Sequence, residues 1–377
     1  MKIGMLSDTH NVKGNDLQRV MAAFKEAGVE IIFHCGDIYA QDLDPKKFLE
    51  LPVYCALVDK QPEDPAFRFP PRGWTFTENK KSRIIYVNGE PYYVGHKRSF
   101  RLLNSTETEF LQNLNELRRD TDGLREVCSG HIHFQYYDQT GVVDHINPGA
   151  VTDALSGRIE FAIFDSETNE TSFCQLYRTN PIIEDRTIAV ISDSLRISLL
   201  DPAFWKCLAT ELAKRNVTDV IHCGNIAISD IGKPELDAFQ VHYNLKDDQK
   251  YDIPKSQKIP DNWHLVGDNE KKEPVVEING YRFCVQLNLS LQITQKTTTQ
   301  IWTIRQELRE QYSDLDFILC GFTHNCLLMG GYQPYIINPG DIIDDRNFAT
   351  LTFGKKIKIT FGHVPLDSNS LPPVADK

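Results

Sequence analysis

Five side chains in this 377-residue sequence have the types and spacing that suit metal binding: Asp8, His10, Asp37, His131 and His133. Asp8 and His10 stand two apart in Ser7-Asp8-Thr9-His10, and His131 and His133 repeat that spacing in Gly130-His131-Ile132-His133. Residues two apart in an extended segment point to the same side. Asp37 closes a second apolar stretch, 30–37, which ends Cys35-Gly36-Asp37. Carboxylate oxygens and imidazole nitrogens drawn from several segments are what a site for catalytic divalent ions requires. A single Asp-x-His is more often an incidental surface pair, since short motifs match by chance. The ordered set, with each member following an apolar run, favours convergence on metal.

The elements that must position these residues are legible from periodicity. Residues 4–10 read as a buried strand that ends in Asp8 and His10, and 15–27 places Leu17, Val20, Met21 and Phe24 at helical spacing before the stop at Gly28. Residues 31–34 form the next strand. Strand–helix–strand order favours a parallel sheet with a right-handed crossover. A third strand is expected at 51–57, a loop at 59–82 rich in Pro, Gly and charge, and a hairpin of 83–87 with 91–94 around Asn88-Gly89. Residues 106–119 read as a helix, 143–146 run into Asn147-Pro148-Gly149, and 158–164 with 171–177 read as closing strands before a linker at 178–185.

The order then restarts. A strand at 187–192, a helix at 201–215 and a strand at 219–223 precede a polar stretch, 237–261, without pattern; a helix at 298–311 follows. Ile31-Ile32-Phe33-His34-Cys35-Gly36-Asp37 is answered by Val220-Ile221-His222-Cys223-Gly224-Asn225. Asp193 follows Asp8 by 185 residues, and Asn338 follows Asn147 by 191. One Asn-Pro-Gly is only a turn. Matched motifs in one order at similar separations point to tandem copies of one α/β domain, 1–180 and 187–365.

Ser7-Asp8-Thr9-His10, Cys35-Gly36-Asp37, Gly130-His131-Ile132-His133 and Asn147-Pro148-Gly149 resemble the motifs of the calcineurin-like metallophosphoesterases. Within that superfamily the chain is similar to the small bacterial phosphodiesterases and the related retromer scaffold subunit. The resemblance covers nearly all of both halves. It implies a four-layer α/β/β/α sandwich in each and a centre for one or two divalent ions, most often manganese, with nickel, zinc or iron as alternatives. By position, it implies Asp8, His10, Asp37 and His133 at one ion. At the other it implies Asp37, His131, an Asn and a further His. Here the sequence departs: Asp59 stands for the Asn and Val94 for the His. His96 lies roughly 6–7 Å further along a strand and substitutes only if the strand end shifts.

The implied chemistry is phosphodiester hydrolysis by metal-activated hydroxide in the first half. Lys97, Arg98 and Arg101 are either phosphate contacts or a solvated basic loop. In the second copy Leu195, Asn225 and Phe322 stand at ligand positions, leaving Asp193, Asp268 and His324 as a set for at most one weakly held ion. The alternative function is a non-catalytic protein-binding scaffold built from two phosphoesterase folds, with the second domain as the partner surface.

The net charge of −11 argues against general affinity for nucleic acid or anionic membrane. No apolar run approaches the roughly 20 residues of a membrane span, and the N-terminal apolar stretch is too short for a signal peptide. Nine scattered cysteines without Cys-x-x-Cys suggest reduced thiols and a cytoplasmic protein. Cys35 and Cys223 read as core packing.

Overall fold

The computed structural model describes all residues except 11, 13, 59–60, 78–82, 97–122, 140–143, 179–183, 196, 246–253, 255, 268–273, 287–297, 313, 322–323, 332, 344 and 366–377. The side chains of 199, 298–302 and 305 are also outside the description. The expected helix at 106–119, together with Asp59, Lys97, Arg98, Arg101, Asp268 and Phe322, lies outside the described residues.

In the first half the strands are β1 (Lys2–Leu6), β2 (Ile31–His34), β3 (Val53–Ala56), β4 (Trp74–Thr77), β5 (Ile84–Val87) and β6 (Glu90–Val94). They continue with β7 (Glu126–Cys128), β8 (Gln135–Gln139), β9 (Asp144–Pro148), β10 (Ile159–Asp165) and β11 (Glu170–Leu176). The second half has β12 (Arg186–Ile191), β13 (Val217–His222), β14 (Gln240–Tyr243), β15 (Trp263–Leu265), β16 (Val275–Ile278) and β17 (Tyr281–Gln286). It ends with β18 (Phe317–Cys320), β19 (Cys326–Met329), β20 (Tyr335–Pro339), β21 (Asn347–Phe353) and β22 (Lys356–His363). The helices are α1 (Asp16–Ala27), α2 (Ile197–Leu200), α3 (Phe204–Lys214) and α4 (Thr298–Gln311).

Two large mixed sheets form. One has the order β15-β14-β13-β12-β21-β22-β11-β10-β1-β2-β3-β4, and the other β16-β17-β18-β20-β19-β8-β9-β7-β6-β5. Each half contributes the same strand order to each sheet, read from opposite edges inward. The sheets therefore do not stop between the halves. β11 pairs antiparallel with β22, from Thr171↔Phe361 to Leu176↔Lys356, and β8 pairs antiparallel with β19.

A continuous apolar core lies between the sheets. It holds Met5, Phe33, Val94 and Phe164 from one half with Ile221, Phe283, Leu319 and Phe353 from the other. Helix α1 buries Leu17, Val20, Met21 and Phe24 against the outer face of the first sheet, and α3 does the same with Phe204, Trp205, Leu208 and Leu212. Gly28 ends α1 in the left-handed conformation (φ 73°), as a C-terminal stop requires. Ile304 and Leu308 of α4 pack on the outer face of the second sheet. Helix, sheet, sheet, helix is the expected layering. No described helix is long and apolar enough to cross a membrane.

The hairpin forms as its sequence requires. Asn88 (φ 52°) and Gly89 (φ 85°) are both left-handed, matching the two-residue turn that fits strand twist. Three expectations fail. The first strand ends at Leu6, so Asp8 and His10 lie on the turn that follows it and not on an extended segment to residue 10. The loop expected at 59–82 contains β4, and the patternless stretch 237–261 contains β14. Both are short parallel strands near sheet edges, held by backbone pairing to β3 and β13 and by the burial of Trp74, Thr77, Val241 and Tyr243.

Candidate metal centre

β1 and β2 run parallel and end side by side, with Leu6 opposite His34. Their continuing loops lock together. The Asp8 amide donates to the Gly36 carbonyl (3.0 Å), and the Thr9 and His10 amides donate to the Asp37 carbonyl (3.1 and 3.2 Å). Asp8 (φ 53°), Asp37 (φ 58°), His131 (φ 77°) and His133 (φ 56°) all sit in the left-handed region. Each such non-glycine residue costs about 1–2 kcal/mol. Three of the four, Asp8, Asp37 and His133, carry side chains that enter the convergent groups described next.

Among the described residues two groups of potential ligands converge: Asp8, His10 and His133, and Asp8, Asp37 and His96. Within each, the ligand atoms lie within 4.8 Å of one another. His10 Nε2 is 3.5 Å from Asp37 Oδ2, so the groups adjoin through Asp37 as well as through Asp8. His96, not position 94, enters the site. Val94 is buried in the core between the sheets, whereas His96 Nε2 lies 3.8 Å from Asp8 Oδ1. Gly36 (φ 101°) makes room, since a Cβ there would lie 2.7 Å from His96 Nδ1. His131 is outside both groups. Its backbone amide donates to Asp8 Oδ2 (3.2 Å) and its Nδ1 lies 3.2 Å from His96 Nε2.

The electrostatics fit a cation. Asp8 is fully buried, and its Oδ1 has no properly formed hydrogen bond. His96 Nδ1 is 2.8 Å from the Cys35 carbonyl, which can only accept, so the ring proton sits on Nδ1. Nε2 of that tautomer carries the lone pair, which accepts from His131 Nδ1 (3.2 Å) and lies 3.8 Å from Asp8 Oδ1. His133 repeats the arrangement: Nδ1 is 3.3 Å from the Asp153 carbonyl, and Nε2 is 3.3 Å from Asp8 Oδ1. The His133 lone pair aimed at the buried carboxylate calls for a positive charge between them. An added proton supplies one solution, and the contact with Asp8 raises the His133 pKa against the effect of burial. A divalent ion supplies the other, and an imidazole anchored through its far nitrogen is the usual arrangement of a metal-ligating histidine. Burial pushes the Asp8 carboxyl up, but His133 and His96 outweigh it and hold it below its ordinary value.

Residues 1–169 match the calcineurin-like phosphoesterase superfamily domain. These residues are a calcineurin-like phosphoesterase domain. The family is divalent-metal dependent. Among solved structures the chain is similar to a novel archaeal phosphodiesterase, with 20% identity over 47% of this chain and 100% of that one and a TM-score of 0.36. It is similar to Vacuolar Protein Sorting 29 from Cryptosporidium parvum, with 14% identity over 45% and 86% of the two chains and a TM-score of 0.33. Zinc-complexed Vps29 from Entamoeba histolytica gives 16% identity, 45% and 87% coverage and a TM-score of 0.28. No curated protein matches the chain.

Asp8, His10, Asp37, His96 and His133 all fall within the calcineurin-like phosphoesterase domain. The domain also holds a brace that motif reading passes over. His34 Nδ1 accepts from the Gly36 amide (3.2 Å), so its proton is on Nε2 and is given to Thr9 Oγ1 (2.9 Å). This ties the turn carrying Asp8 and His10 to the turn carrying Asp37. The second half has the same brace: His222 Nδ1 accepts from the Gly224 amide (3.1 Å) and Nε2 reaches Ser194 Oγ (2.7 Å). The signal was present in the sequence, because an imidazole stands at both matched positions while the ligands around it differ.

Outside the phosphoesterase domain the matching turns persist with other contents. Asp193 (φ 57°), Asn225 (φ 59°) and His324 (φ 60°) are again left-handed. Asn225 Nδ2 donates to Asp193 Oδ1 (3.0 Å), and Ser192 Oγ donates to Asp193 Oδ2 (2.6 Å). His324 Nδ1 bonds the buried Asp341 carboxylate. Here uncharged protein donors hydrogen-bond the buried Asp193 carboxylate. Among the described residues, no convergent group of three potential ligands occurs in this half.

Cys35 and Cys223 are wholly buried, and burial pushes both thiols well up, which makes them poor nucleophiles. None of the nine cysteines is paired in a disulfide.

Proposed function

We propose that the chain is a metal-dependent phosphoesterase acting on phosphodiesters, with activity confined to residues 1–180. The observation that carries this reading is the buried Asp8 Oδ1, which lacks a proper hydrogen bond and is faced by His96 and His133. Asp8, His10, Asp37 and His133 hold one divalent ion, manganese in the first instance; Asp8, Asp37 and His96 hold a second. Asp59 lies outside the described residues and is proposed only from its sequence position. Ions bound there would stabilise charge on phosphate oxygens and acidify an attacking water. Buried Asp8 serves to ligate. His10, Asp37 and His133 are partly exposed and border the side from which a phosphate enters. His131 holds its imidazole beside His96 at that border. The protein is proposed to work in the cytoplasm.

Manganese-loaded protein is expected to hydrolyse bis(p-nitrophenyl) phosphate, and Asp37→Ala to abolish turnover. Absence of turnover with manganese, nickel, cobalt and zinc alike would overturn the reading.

One observation supports a second role for residues 187–365. The amide of Asn225 and the hydroxyl of Ser192 hydrogen-bond both oxygens of Asp193. This half is proposed as a non-catalytic copy offering a protein-binding surface. Its partner should bind an Asp8→Ala variant as well as the wild type; loss of binding with loss of metal would count against it.

A further inference from the structure

Five large hydrophobic side chains are exposed among the described residues: Tyr39, Leu49, Phe69, Tyr86 and Leu200. Tyr39 differs from the others in lying against the candidate centre. Its ring centroid is 6.2 Å from that of His10 at an interplanar angle of 49°, and it follows Asp37 by two residues. It is 38% exposed, while His10 beside it is largely covered. The ring therefore stands beside a ligand imidazole on a residue that is partly open to solvent.

The backbone under this ring is fixed on both sides. Gln61 Nε2 donates to the Ile38 carbonyl (2.7 Å), and Gln61 Oε1 accepts from the Val58 amide (2.9 Å). On the other side the Asp42 amide donates to the Tyr39 carbonyl (2.9 Å), closing the short 3-10 turn Ala40–Asp42. Ile38 is fully buried and acts as an anchor. An exposed aromatic ring on an anchored turn has already lost the backbone freedom that ligand binding would otherwise cost. Aromatic faces take planar rings in preference to saturated ones.

We infer that Tyr39 is the platform of an aromatic subsite beside the metal centre, and that the phosphoesters this site takes carry a planar group, such as a nucleobase, next to the phosphate. The inference rests on the phosphoesterase reading and names its substrate class. The face of the ring does the work; the hydroxyl is not required. Tyr39 touches the substrate's planar group and takes no part in proton transfer.

The test compares AMP with ribose 5-phosphate, which share a phosphate and a sugar and differ by the base. Binding to the full-length, manganese-loaded protein is measured by calorimetry. The wild type should bind AMP roughly tenfold more tightly, as one stacked base contributes. Tyr39→Ala should bring the ratio of the two affinities toward one, and Tyr39→Phe should keep it. Equal affinities in the wild type, a ratio that survives Tyr39→Ala, or a ratio lost equally in Tyr39→Phe would each overturn the inference. Cleavage of bis(p-nitrophenyl) phosphate with equal affinities removes the aromatic subsite and leaves the phosphoesterase reading standing. Failure of cleavage together with failure of both ligands to bind removes both.

Discussion

At the residue scale, His96 is the residue on which the proposed second ion depends. It stands two positions from the place where the family pattern puts a ligand, yet its Nε2 joins Asp8 and Asp37. His96→Ala should lower manganese affinity at least tenfold at one of two positions, since even outer partners of metal ligands contribute 10–100-fold. Metal content per chain by elemental analysis checks this; an unchanged count would exclude His96 as a ligand. His222 sets a different expectation. Burial lowers its pKa to about 4, against a smaller opposing effect of Asp193. Its folded pKa thus lies below its unfolded value of about 6.5. The unfolded chain takes up a proton that the folded chain refuses, so stability is full above pH 6.5 and falls as pH drops toward 4. By pH 5 the loss is about 2 kcal/mol. His222→Asn should show a shallower fall in melting temperature between pH 7 and pH 5 than the wild type does. Parallel curves would refute the buried neutral imidazole.

At the element scale, the site is made where strand ends meet. Gly130 follows β7 and lies against Ser7, which follows β1. A Cβ on Gly130 would come 1.9 Å from Ser7 Oγ and 2.8 Å from the Cys35 carbonyl oxygen. Gly321 meets Ser192 in the same way, with 1.8 Å to its Oγ. Gly130→Ala and Gly321→Ala should each cost about 2–3 kcal/mol through overpacking. The two should differ in chemistry: the first also lowers metal content, and the second leaves it unchanged. Thermal melts with parallel metal analysis distinguish them. Equal metal loss in both would mean that the halves share one site.

At the scale of the whole molecule, the halves share sheets. The six-residue β11–β22 ladder and the β8–β19 ladder join them, with Ser172 Oγ and Thr360 Oγ1 3.0 Å apart and Tyr137, Phe173 and Phe361 packed across the seam. A fragment ending at Arg178 would leave the β8 and β11 edges bare, and bare edges recruit other strands. Such a fragment should self-associate at micromolar concentration in sedimentation velocity, whereas the full chain should not do so through these edges. A monomeric, fully folded fragment would show that the second half is not needed to cap the first.

The amino-acid sequence by itself determined which residues could bind metal, the α1 helix and its glycine stop, the Asn88-Gly89 hairpin and the recurrence of one motif order. These depend on residue type and short-range periodicity. It did not disclose β4 and β14, whose pairing comes from neighbours already in place and not from their own pattern. It also passed over β8 and β19, the strands that join the second sheet. In the site, the sequence named Asp8, His10, Asp37, Asp59, His131 and His133, with His96 as a further possibility, because most of them follow a readable strand end. Tertiary structure decided the rest. His96 enters because Gly36 leaves space for its ring, and Val94 turns into the core. The candidate site persists as geometry in the first half and closes on its own hydrogen bonds in the second. That difference rests on whether a buried carboxylate meets an imidazole lone pair or an amide donor, a matter of contacts between distant segments.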